Sequence, residues 1–127
     1  MITASYIHRF LTSLGFTIII ETAVLFILLV LVLRRRDIPP LKILFAGFFA
    51  SFATLPYVWF VFPYAYTWSR ETSLLWSEPF VFIVEVVFYR VFLKLDWRVA
   101  FVASLLANLS SYLLGPFLRA HGLWIYW

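Results

Sequence analysis

Residues 14–40 read LGFTIIIETAVLFILLVLVLRRRDIPP, an apolar run interrupted by one glutamate, Glu21, and closed by three arginines, an aspartate and two prolines. A hydrocarbon layer about 30 Å thick takes about 20 helical residues at about 1.5 Å each, and the segment 14–33 has that length. Arg34, Arg35 and Arg36 stop it, because a cationic cluster does not enter hydrocarbon cheaply. Pro39 and Pro40 suit the first turn of a second helix, and Asp37 is placed to cap it. This stretch therefore predicts one membrane crossing, a tight turn and the start of the return.

The pattern continues outward. The second apolar segment, 41–62, has a kink position at Pro56 and ends at Pro63. The polar and aromatic stretch 64–77, with Trp68, Arg70, Glu71 and Trp76, reads as the one real loop. A third and shortest helix is expected over 78–92, a basic turn over 94–98, a fourth helix over 99–118 and an amphipathic tail over 119–127. Composition agrees, since 65% hydrophobic and 13% charged residues in 127 exceed what a soluble domain of this size hides in its core. The expected fold is an all-α integral membrane protein, a single domain of four transmembrane helices arranged as two hairpins. Without cysteine there is neither a disulfide framework nor a thiolate site. The net charge of +4 comes from cations between apolar runs, which points to lipid headgroups and not to nucleic acid.

Orientation follows from the basic residues. Arg34, Arg35, Arg36, Lys42, Arg90, Lys94 and Arg98 fall on one side, against Arg9, Arg70 and Arg119 on the other. Cytoplasmic flanks accumulate such residues, so both termini are expected outside, in a bacterial-type inner or plasma membrane. Arg34, Arg35, Arg36, Lys94 and Arg98 are then the cytoplasmic topology anchors. The first helix, with more positive charge after it than before it, reads as a retained anchor and not a cleaved signal peptide. Tyr64, Tyr66, Trp68, Trp76, Trp124, Tyr126 and Trp127 are expected to form an outer aromatic belt.

The two hairpins resemble each other. Ile20-Glu21-Thr22-Ala23 matches Val84-Glu85-Val86-Val87, and an aspartate, Asp37 or Asp96, follows in each turn. On the return helices Ala46-Gly47-Phe48-Phe49-Ala50-Ser51 aligns with Ala103-Ser104-Leu105-Leu106-Ala107-Asn108, and Thr54 with Ser111. Both hairpins enter from the same side, so this is read as a parallel internal repeat about an axis along the membrane normal.

Polar groups at membrane depth are where function is sought, because an ionised side chain there is costly unless paired or wetted. Glu21 and Glu85 are placed about 10 Å below the outer surface, with Ser51, Asn108 and Ser111 at a similar level. These five form the candidate intramembrane polar cluster. Two nearby carboxyls share a proton more readily than both ionise, which suits a proton or cation site; the alternative is hydrogen-bonded glue between helices. Ala46, Ala50, Ala103, Ala107 and Gly115 are spaced to let backbones approach and are read as packing positions. Glu78 and Arg90 are expected to snorkel to the interfaces, and His8 and His121 to sit at the outer surface without ligand spacing for a metal. The sequon Asn108-Leu109-Ser110 falls inside the bilayer, where modification is not expected.

There is no phosphate-binding glycine loop, nucleophile elbow or zinc-binding histidine pair, so no catalytic residue and no enzyme activity are expected, and the composition names no cofactor. A four-helix chain of this length with a glutamate in its first helix resembles the small multidrug-resistance exporters in outline, although no motif around Glu21 beyond the carboxylate matches them and the charge asymmetry argues against dual topology. With 22% Phe, Tyr and Trp and little aqueous surface, the leading expectation is an accessory or scaffold subunit packing against membrane protein partners. The alternative is a small proton- or cation-coupled transporter or channel acting as a homo-oligomer.

Overall fold

The computed structural model describes residues 2–65 and 69–123; Tyr66, Trp68, Trp124, Tyr126 and Trp127 of the expected aromatic belt lie outside them. Among the described residues the chain forms four long helices and no strand. These are α1 (Ala4–Phe26, running on as a π-helix, Ile27–Val32), α2 (Pro40–Pro56, then a π-helix, Tyr57–Val61, and a last turn, Phe62–Ala65), α3 (Arg70–Phe92) and α4 (Trp97–Ala120). Three are long and apolar enough to cross a membrane: Ala4–Val32 with mean hydropathy 2.7, Pro40–Tyr64 with 1.7 and Trp97–Ala120 with 1.5. The 23 residues of α3 reach about 35 Å, but Glu78, Glu85 and Arg90 interrupt its apolar run.

Helix α1 packs on α2 and α4, and α3 packs on the same two. The helices therefore stand in a ring with α1 and α3 diagonally opposed. Small residues set the spacing. Ala46, Ala50, Ala103, Ala107 and Gly115 are all buried, as is Gly47, where a Cβ would come within 2.8 Å of Thr22 Cα. A cluster of Leu25, Leu29, Ile43, Tyr89 and Leu95, all fully covered, fills the half of the bundle nearer the two hairpin turns. At the other end the Tyr6 hydroxyl donates to the Trp59 carbonyl at 2.6 Å, and Tyr6 and Phe10 meet Trp59 and Phe60 edge-on. Pro56 lacks an amide hydrogen, and the chain absorbs it by widening into the π-helix that follows.

Several boundaries differ from those read in the sequence. Helix α1 begins at Ala4 and not near 14, capped by the Thr3 hydroxyl on Tyr6 N. Most of the expected 64–77 loop is helical: α3 starts at Arg70, capped by Ser69 Oγ accepting from Thr72 N at 3.2 Å, with Glu71 favourably placed in its first turn. Hydropathy registers only the apolar part of a helix, so polar first turns read as loop. Pro63 does not terminate α2 but sits within its last turn. Asp37 does not cap α2. Its carboxylate accepts two hydrogen bonds from Arg35, each 2.9 Å, and α2 starts on Pro39 and Pro40 without a side-chain cap.

Candidate functional site

Glu21 on α1 and Glu85 on α3 point to the centre of the ring from opposite sides, with 1% and 0% of their surface exposed. They lie close enough to interact electrostatically. With α1 and α3 starting at Ala4 and Arg70, the two residues stand about 25 Å and about 22 Å along their helices.

The Glu21 carboxyl bridges three helices. Its Oε2 accepts from Ser51 Oγ on α2 at 2.7 Å and its Oε1 from Ser111 Oγ on α4 at 2.9 Å. Each hydroxyl also has a second acceptor on its own helix, Gly47 O at 3.1 Å for Ser51 and Asn108 O at 3.0 Å for Ser111. One hydroxyl proton cannot serve both acceptors fully. The arrangement is thus satisfied in two ways: an ionised Glu21 accepts from both hydroxyls, and a protonated Glu21 donates to one of them, which turns its own proton to the helix carbonyl.

Glu85 has a parallel set of partners. Its Oε2 accepts from Asn108 Nδ2 and from Ser104 Oγ at 3.3 Å, and Ser104 Oγ has the Phe82 carbonyl as its other acceptor at 3.2 Å. Thr54, whose hydroxyl donates to Ala50 O at 2.9 Å, stands beside the same carboxyl from α2. Glu85 Oε1 is buried and has no hydrogen-bond partner, and neither has the hydroxyl of Tyr89, one turn further along the same face. Among the described residues the one ion pair is Arg35–Asp37, far from this centre in the hairpin turn. Two carboxyls thus occupy the interior with no basic side chain paired to either.

All five members of the expected cluster, Glu21, Glu85, Asn108, Ser51 and Ser111, meet in this arrangement. Ser104 and Tyr89 were not singled out from the sequence. Ser104 stands one helical turn before Asn108 and was legible through that spacing, whereas tyrosine in an apolar helix reads as an interface residue. Glu71, Glu78 and Glu85 recur every seven residues, two helical turns, and so share one face of α3. They grade from exposed through half-buried to buried. Glu78, half-buried, is close enough to Glu21 to interact with it electrostatically. Arg90 is also half-buried, its guanidinium over the Trp97 ring at 5.6 Å and its Nε without a partner. His8 and His121 are exposed. Comparison with family models, curated proteins and solved structures found no match.

Proposed function

We propose that this chain is a four-span membrane protein whose Glu21–Glu85 pair takes up and releases a proton or a small cation in coupled transport. The observation that carries the reading is the unpartnered, buried Glu85 Oε1 beside a second buried carboxyl, with hydroxyl donors that satisfy either protonation state. The graded carboxylates Glu71 and Glu78 supply a polar face leading inward from the start of α3.

In this reading α3 crosses the membrane as the fourth span, both termini face outward and the surroundings are the lipid of an inner or plasma membrane. Its length supports this, as does the burial of Glu85. The parallel repeat gains support from the partners. Each glutamate is held by a side chain of its own hairpin, Ser51 or Asn108, and is approached from the other hairpin by Ser111 or Thr54, the pair the sequence aligns. Each hairpin turn also has a left-handed basic residue directly after the helix cap, Arg34 at φ 49° and Lys94 at φ 54°.

The test is reconstitution in liposomes holding a pH-sensitive dye, with a pH gradient imposed in sodium, potassium or choline salts. Wild type is expected to dissipate the gradient, and Glu85→Gln and Glu21→Gln to lose most of that activity while remaining folded, because the amide keeps a hydrogen-bonding oxygen. Equal rates for wild type and both variants above protein-free liposomes would count against the reading.

A second reading, an accessory subunit in a larger membrane complex, is favoured by one feature. Phe45, Phe48, Phe49 and Phe52 form an exposed aromatic ladder on α2, with Phe45 stacked on Phe49 and Phe48 on Phe52. Such a surface suits another helix as well as lipid. Stoichiometric foreign subunits in particles purified gently from the native membrane would favour this reading; a pure homo-oligomer would favour transport.

A further inference from the structure

We propose that the cleft at the α1–α2 turn binds the headgroup of one anionic phospholipid. The cleft has a volume of ≈ 590 Å³ and is lined by Arg34, Arg35 and Arg36 together with Val30, Leu31 and Ile38. Its chemistry divides the way a lipid does. The arginines form a collar where the helix ends, Val30 and Leu31 line the cleft from the last turns of α1 and Ile38 from the turn, and Leu31 and Val32 are exposed beside it. Asp37 is committed to Arg35, so Arg34 and Arg36 remain as two guanidiniums without an ion pair among the described residues. Planar guanidinium forks match phosphate oxygens in pairs. No free carboxylate lines the cleft to receive the ammonium of a zwitterionic head, which favours a net negative lipid over phosphatidylcholine. The apolar wall favours a lipid over soluble phosphate.

The backbone supplies a second observation. The wide turns of the π-helix Ile27–Val32 end with Leu33 N donating to Leu28 O and Arg35 N to Leu29 O, both at 2.8 Å, and Arg34 between them takes a left-handed conformation at φ 49°. Glycine adopts that conformation without strain and is the usual residue there. This conformation, costlier for arginine than for glycine, sets Arg34 at the rim of the cleft.

The experiment uses the full chain, delipidated in mild detergent and titrated with phosphatidylglycerol, phosphatidylcholine or glycerol 3-phosphate under native mass spectrometry. Wild type is expected to retain one phosphatidylglycerol at least about tenfold more tightly than phosphatidylcholine, with no competition from glycerol 3-phosphate at equal concentration. Arg34→Gln with Arg36→Gln should abolish the preference, and Arg9→Gln with Arg119→Gln should leave it unchanged. Because losing two topology anchors can impair insertion, Arg34→Lys with Arg36→Lys provides a charge-preserving variant, expected to bind severalfold more weakly through loss of the fork. Equal retention of the two lipids by wild type, unchanged binding in either Arg34/Arg36 double variant, or displacement by glycerol 3-phosphate overturns the proposal.

Discussion

Gly47 is a point of close contact between α1 and α2. A methyl group there would meet Thr22 backbone at 2.8 Å, whereas one at Gly15 would meet nothing within 4 Å. Gly47→Ala is expected to destabilise the bundle by about 2 kcal/mol and Gly15→Ala to stabilise α1 by up to about 1 kcal/mol, both read from thermal unfolding in detergent. At Glu21, Ser51→Ala and Ser111→Ala should each cost about 1 kcal/mol. The double variant should fall short of the sum, since both donors serve one carboxyl. The central residues were legible in the sequence because a carboxylate or an asparagine inside an apolar run has no cheap place to go except inward. Gly47 appeared there only as an aligned small residue, and nothing in one chain tells which small residue is the point of closest contact. Tyr89 was hidden for a similar reason: its burial depends on which face of α3 turns inward.

At the scale of elements, the turns and caps explain where the sequence reading went astray. Hydropathy located the apolar centre of each helix but missed its polar first turns, which Thr3, Ser69 and Asp96 cap through their side chains. Asp96→Ala, removing the bond from Val99 N at 2.9 Å, is expected to cost about 1 kcal/mol. Lys94→Gly should raise thermal stability modestly, by relieving the left-handed strain at φ 54°. The first turn carries a pH signature. Two hydrogen bonds from Arg35 hold the Asp37 carboxyl below its ordinary value. Its contribution is present above the unfolded-state titration of aspartate and is lost as pH falls through the lower folded-state one. Asp37→Asn should therefore flatten the acid limb of the stability profile without changing the neutral plateau by much, the group being fully exposed.

For the whole molecule, the defining feature is the contrast between a lipid-like exterior and a polar centre shared by all four helices. Leu31, Leu41, Val91 and Tyr112, one from each helix, are among its most exposed apolar residues, while Glu21 and Glu85 are among its most completely buried. That architecture makes the protonation of the pair the decisive property, and infrared spectroscopy reads it without knowledge of any substrate. Protein reconstituted in lipid should show protonated-carboxyl carbonyl bands that disappear reversibly as pH rises or as a small cation is added, with one component missing in Glu85→Gln and another in Glu21→Gln. If both carboxyls stay protonated over the whole pH range in which the protein remains folded and respond to no cation, the pair is structural glue and the transport reading fails.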